Sequence, residues 1–470
     1  MIDCLLYDIL IQEYLIFAMV WDKMVTLKNA ITYFLSFQTY VVLPVLIFIL
    51  AMIFRIKVVT AIKSALTIGI GFVGIFMVFE YFVKIINPVI TALISRSGLH
   101  LNVLDTGWPP LAAITWSFKL VPVLMMLFII INLAMLIFKL TKSVDIDIWN
   151  YWHVILVAVM IYQVTNNVFI TLAATSVTFI VMLKLSDWSA PMIHKLSGMN
   201  GVCIPHLGAG TYFPVALIAN RLMDKIPGFN KLNANSEKIQ QKLGLLGEPM
   251  VLGLSMGLIL GIFGGYNIKQ IAELAMGFAA IMYILPKMSG ILGSGLVPIA
   301  DGMKQFITKH FPNLGETYIG LDVAVLFGIP SVVVTAILLI PVALVLAFIL
   351  PGIRFIPLGD LTNLLVPVAL ITVATRGNII RSFIIGIPAV IVNLYIASNM
   401  AEFFTKMAAL AHYQIQNYHG IFTSFLDGGQ FFRAWLVQIF SGNLVSLLLI
   451  PVAIIILYWT WRIVKQEEIK

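Results

Sequence analysis

Four stretches of this chain, 120–138, 332–350, 382–401 and 442–461, each run for about twenty residues without a charged side chain. A helix of about 20 apolar residues spans the hydrocarbon core of a bilayer. Inside that core every backbone N–H and C=O must be satisfied within the protein, so such runs become spanning helices. Weaker runs lie at 32–54, 65–86, 152–183 (long enough for two short spans), 250–266, 271–286 and 361–375. The sum is ten to twelve crossings, with shorter pieces that dip in as re-entrant hairpins. Composition agrees: 61% of residues are hydrophobic and 11% charged, against about 25% charged in soluble domains. The expected fold is an all-α polytopic membrane protein.

The basic residues then read as topology signals. The net charge of +8 is scattered over short loops, which argues against a nucleic-acid partner and for the positive-inside rule. Arg55, Lys57 and Lys63 follow the first run, and Lys139 and Lys142 the third. Lys225, Lys231, Lys238 and Lys242 share one polar stretch, and Arg462, Lys465 and Lys470 end the chain. These loops are expected on the cytoplasmic side, with 87–110 outside. An outside N-terminus and an inside C-terminus need an odd count, and eleven fits.

Asp3, Asp8, Glu13, Asp22 and Lys23 interrupt the first thirty residues, which lack the pattern of a cleavable signal peptide and read as an amphipathic extension. The expected divisions are 1–30 (extension), 31–223 (first membrane half), 224–242 (cytoplasmic linker), 243–463 (second half) and 464–470 (tail). No sequence repeat is visible. Cys4 and Cys203 form no disulfide framework or thiolate cluster.

Within this apolar chain, Cys-Ile-Pro-His-Leu-Gly-Ala-Gly-Thr-Tyr-Phe-Pro at 203–214 cannot be one clean helix, because proline removes a donor and glycine weakens the helix. Broken backbone at membrane depth is tolerated where it lines a cavity, and transporters hold substrate at broken helices; a cytoplasmic loop with a surface histidine is the simpler alternative. Ionisable groups in membrane segments are costly and point to function. Glu248 stands in Gly-Glu-Pro before an apolar run, where it either accepts hydroxyl hydrogens or favours a helix start. His153 stands one turn beyond Trp149, with Trp149 and Trp152 as interfacial anchors. Asp145 and Asp147 read as solvated loop charges, with Asp147 able to cap a helix. Asp322 lies in a short apolar stretch ended by Pro330, like a hairpin that enters without crossing. Asp360 precedes another weak span, and Arg376 and Asn378 end it. Carboxylates, imidazoles and amides together suit a neutral polyol, whose hydroxyls both donate and accept. There is no phosphate-loop, zinc-protease or triad pattern; His412 and His419 lack partner acids. No metal or cofactor is expected.

At these residues the chain resembles the membrane component, enzyme IIC, of the galactitol phosphotransferase system, in the ascorbate–galactitol superfamily. The matching stretches are Ile-Gly-Ile-Gly-Phe-Val-Gly-Ile (68–75), Asp-Thr-Gly-Trp-Pro (105–109), Val-Asp-Ile-Asp-Ile-Trp-Asn (144–150) with His153, and Ile-Pro-His (204–206). They continue with Lys-Ile-Pro-Gly (225–228), Gly-Glu-Pro (247–249), Gly-Leu-Asp (320–322), Leu-Gly-Asp-Leu (358–361) and Arg-Gly-Asn (376–378). The resemblance implies a homodimeric permease of the bacterial inner membrane with eleven spans, its core domain moving against a dimerisation domain in elevator fashion. It implies uptake of galactitol or a related polyol or sugar, phosphorylated by a phosphocysteine on a separate IIB subunit that IIA recharges, with phosphoenolpyruvate as ultimate donor. The phosphocysteine then lies on IIB and is not Cys203. Carried over residue by residue, the substrate positions are His153, His206, Glu248, Asp322 and Asp360, with Trp108 and Thr211 near them. Departures at 207–212, at Val323 and at Ile329-Pro330 leave another hexitol, a pentitol or a sugar open. An ion-coupled transporter on a similar scaffold, with Glu248 or Asp322 as coupling acid, is the alternative.

Overall fold

A computed structural model of the chain describes residues 39–97, 101–147, 150–229, 248–310, 316–411 and 420–468, with Phe37 and Tyr413. The expected extension 1–30, most of the linker 224–242, Trp149, His412 and His419 lie outside the described residues.

The first half opens with α1 (Thr39–Ile53) and the 40-residue α2 (Val58–Ser97). Strand β1 (Val103–Asp105) follows, then α3 (Trp108–Trp116) and α4 (Val121–Ile137). Next come β2 (Ser143–Asp145), α5 (Tyr151–Thr165) and α6 (Val168–Ser197). β3 (Val202–Cys203), the single turn α7 (Leu207–Gly210) and α8 (Tyr212–Met223) close it.

The second half repeats this order. α9 (Pro249–Phe263) and the 43-residue α10 (Ile268–His310) precede β4 (Tyr318–Gly320), a 3-10 turn at Val323–Gly328 and α11 (Pro330–Ile349). An extended segment through Arg354 leads to α12 (Leu365–Ala374), α13 (Ile379–Asn399) and α14 (Ala401–Leu410). β5 (Ile421–Thr423), α15 (Phe431–Phe440), α16 (Leu444–Leu448) and α17 (Ile450–Glu468) end the chain. Leu-Asp105 at the end of β1 corresponds to Leu-Asp322 just after β4, and Asp147 with Asn150 to Asp360 with Asn363. Both Asp–Asn pairs are hydrogen bonded, at 3.1 and 2.9 Å. The repeat is legible in order and local bonding, although hardly in sequence.

The long helices α2 and α10 pack closely because glycines remove the side chains between them. A Cβ on Gly71 would come within 2.7 Å of Leu292 Cβ, and one on Gly295 within 2.8 Å of Ile68. Ile56 meets Gly302 at one end of this pair and Arg96 meets Gly265 at the other, so the two helices run antiparallel. Their C-terminal ends therefore lie on opposite faces of the protein.

The strands start from these faces. β2, β4 and β3 form one parallel sheet in that order, placing a strand of the second half between two of the first. β1 pairs in parallel with β5 on one side and donates from Val103 N to the Arg354 carbonyl on the other, at 3.2 Å. The halves thus exchange strands. Strands are short here because they only carry the chain from a face to the middle, where a helix begins.

Among the described residues six helices are long and apolar enough to cross a membrane, or seven if α3 and α4, bent by 93°, count as one span. Further apolar helices of 10–17 residues are too short to cross alone. Within the expected runs 152–183 and 361–375, α5 and α12 are such short helices, and the count by length among the described residues falls below the expected eleven. The physical reason is the repeated break: strands of two or three residues and the turns after them lead into helices that start inside the protein and are too short to span alone.

Candidate functional site

The sequence places Asp, His or Gln at the tip of nearly every strand-to-helix turn, and the exchanged strands bring these tips together. A helix N-terminus has unsatisfied N–H groups and a positive dipole end, so the tip side chains accept from them. His206 Nδ1 accepts from Ala209 N at 3.2 Å, Asp322 Oδ1 from Ala324 N at 2.6 Å, and Gln430 Oε1 from Arg433 N at 2.8 Å.

Arg433 is the centre of the cluster. It is buried, 1% exposed, in the first turn of α15. Its Nη1 donates to Asp427 Oδ1 at 2.7 Å and to the Asp427 carbonyl at 2.9 Å. Its Nη2 donates to His153 Nδ1 at 2.8 Å. The same Nδ1 lies 3.3 Å from Asp427 Oδ1, so His153, Asp427 and Arg433 meet at one point. The His153 and His206 rings lie 4.0 Å apart, and Trp152 lies 3.9 Å from His153. Asp322 and Asn150 lie beside His153. Gln430 Nε2 donates to Thr211 Oγ1 at 2.6 Å, tying α15 to the turn between α7 and α8. Trp108 stacks toward Trp152 at 6.1 Å. The group therefore joins five of the seven expected positions: His153, His206, Asp322, Thr211 and Trp108.

Asp360 is placed next to this group but its oxygens are occupied. Oδ1 accepts from Trp108 N at 3.0 Å and Asn363 Nδ2 at 2.9 Å, and Oδ2 from Ser424 Oγ and from Leu426 N at 3.4 Å. Asp105, its neighbour, accepts from Gly107, Phe425, Gly359 and Asp360 N–H groups at 2.9–3.2 Å. The two carboxylates clamp three chain segments. Gly107, at φ 70°, allows the approach, since a Cβ there would sit 2.6 Å from the Gly359 carbonyl oxygen. Glu248 flanks the N-terminus of α9, whose main neighbours are α10, α11 and α2. Asp145 and Asp147, expected as solvated loop charges, are buried: β2 lies inside the body of the protein.

Sequence reading missed Asp427, Gln430 and Arg433. Arg433 is a charge in the apolar stretch 431–440, the same signal that singled out the other acids, but that stretch is too short to read as a span. No group of three or more His, Cys, Asp or Glu suited to a metal occurs among the described residues. The site brings together one ion pair, two imidazoles, a carboxylate, an amide, a hydroxyl and two indoles.

Comparison with known proteins agrees. The family described as "PTS system sugar-specific permease component" matches residues 33–417. The "PTS system galactitol-specific EIIC component" of Escherichia coli (strain K12) is 33% identical over 449 residues, covering 94% of this chain and 99% of that protein. The protein of the same description from Escherichia coli O157:H7 gives the same identity and coverage. The chain belongs to the sugar-specific permease components of the phosphotransferase system, multi-pass membrane proteins that work on a sugar with IIA and IIB partners.

Proposed function

We propose that the chain carries galactitol or a closely related polyol across the bacterial inner membrane and presents it to a phosphorylated IIB subunit at the cytoplasmic face. The observation that carries this reading is the buried Arg433–Asp427–His153 group at the junction of the two halves. His153 and His206 offer imidazole nitrogens, Asp322 and Asp427 accept, and the Trp108–Trp152 pair faces the carbon skeleton. Thr211, Gln430 and Asp360 hold the turns in place. Glu248 stands with other elements, and Glu248→Gln decides its membership: weaker substrate binding in a folded variant places it in the site.

The face at which α10 ends carries Arg55, Lys57, Lys139, Lys142, Lys195, Lys309, Arg376, Arg462 and Lys465. The opposite face carries Arg96, Lys269, Arg354 and Lys406. The positive-inside rule makes the first face cytoplasmic, with the C-terminus inside and the N-terminus outside. The array α1, α2, α9 and α10 is the natural dimerisation scaffold, against which the remaining helices carry the site in an elevator movement. The chain itself carries no phosphoryl group.

The test is uptake of labelled galactitol by cells making this chain, with and without cognate IIA and IIB, followed by identification of the intracellular product. Galactitol phosphate formed only with both partners is the expected result. Free galactitol accumulating without them would mean ion-coupled transport instead. No uptake in either case would reject galactitol and call for a polyol panel.

A further inference from the structure

A second polar site lies away from the histidines. A cavity of about 380 Å³ is lined by Met192, Lys195 and Leu196 at the end of α6, Arg376 after α12, and Glu467 at the end of α17. That volume suits a sugar-sized ligand rather than a single water. Its charged groups are built in different ways. Arg376 pairs with Glu467 and occupies a left-handed backbone conformation, φ 57°. That position, just past a helix end, normally takes glycine, so an arginine there keeps its side chain at a conformational cost. The next residue, Gly377, lies against Leu196: a Cβ there would come within 2.8 Å of Leu196 Cδ1. The turn is thereby seated on α6, which aligns Arg376 with Lys195. Lys195 is exposed and makes no ion pair or hydrogen bond among the described residues.

We infer that this cavity binds a polyol phosphate, the product of the proposed reaction, on its way to the cytoplasm. Two cations suit a phosphate dianion. The Glu467 carboxylate accepts from polyol hydroxyls, and Met192 and Leu196 face carbon. The cations and Glu467 act alike on the phosphate of the ester and on inorganic phosphate, and only the ester adds hydroxyls that donate to Glu467, so the mixed lining favours the ester. The inference rests on the permease reading only for the identity of the ester and for the cytoplasmic placement.

The test is calorimetric titration of the full chain in nanodiscs with glucitol 6-phosphate, glucitol and inorganic phosphate. This probe represents the class and binds whichever polyol is carried, so its outcome is separate from that of the galactitol uptake experiment. Glucitol 6-phosphate is expected to bind at millimolar concentration or below, and glucitol and phosphate more weakly. Lys195→Gln and Arg376→Gly should each weaken the ester about ten-fold, the loss of one charge-assisted hydrogen bond. Neither variant should lose its fold, because Lys195 is exposed and glycine relieves the left-handed turn. Equal affinity in wild type and both variants, or phosphate binding as tightly as the ester, overturns the inference. So does loss of binding in anionic but not zwitterionic nanodiscs, which would make it a lipid-headgroup site.

Discussion

At the scale of single residues, the protein separates charges that meet in the central polar group from charges that clamp the chain. Arg433 is buried and its partner Asp427 mostly so, and such an ion pair is costly to break because the remaining partner is left uncompensated, by about 3–5 kcal/mol. Arg433→Met should therefore lower thermal stability strongly in nanodiscs, and adding Asp427→Asn should restore part of it. Transport should stay lost in both, because the hydroxyl partners are gone. A double variant no more stable than Arg433→Met alone would separate the two residues. Asp105 behaves differently. Its oxygens take four backbone N–H groups, one from its own turn and three from two distant segments, so Asp105→Ala leaves donors unpaired at about 1–3 kcal/mol each. It should reduce the melting temperature and the yield of inserted protein together, and a variant of normal stability would show that water replaces the carboxylate. The histidines and Asp322 were legible in the sequence as polar groups among helix breakers. Asp427 and Arg433 were not, because their partner His153 is 280 positions away in sequence and no local pattern links them.

At the scale of elements, glycine does two separate jobs. Some glycines break the chain ahead of a helix, as before α8, α12 and α15, which start inside the protein. Others let long helices touch. A Cβ on Gly257 would lie 2.5 Å from Ala275 Cα, across the α9–α10 contact, whereas one on Gly290 would meet nothing within 4 Å. Small residues are what allow such close approach in membranes, where dispersion contacts rather than the hydrophobic effect hold helices together. Gly257→Val should thus cost about 1–3 kcal/mol by overpacking, read as a lower melting temperature. Gly290→Ala should be neutral or slightly stabilising, since alanine favours helix by about 1 kcal/mol. Equal effects at the two positions would mean that backbone conformation, and not helix contact, governs both. The apolar runs announced the long helices plainly. The half-helices were read as crossings because hydropathy reports burial and not depth.

At the scale of the whole molecule, the exchange of strands makes each half depend on the other. β4 lies between β2 and β3, and β1 between β5 and the Arg354 segment, so a half alone would expose unpaired strand edges, which no lipid can satisfy. Two fragments cut within 230–247 should be degraded when made singly and recovered as a complex when made together, by co-purification from membranes. A stable single half would show that the exchange contributes little. The same interlocking explains why the Arg433–Asp427–His153 group sits where the halves meet.

The sequence by itself determined that the chain lies in a membrane, since charge-free runs of about twenty residues have no other stable home. It also determined which family its motifs match. Tertiary structure decided which polar residues meet. The Arg433–Asp427–His153 group, the clamp of Asp105 and Asp360, and the cavity between Lys195 and Arg376 each join segments far apart in the chain. Their formation depends on strand exchange between two halves whose repeat is carried by backbone order rather than by side-chain identity.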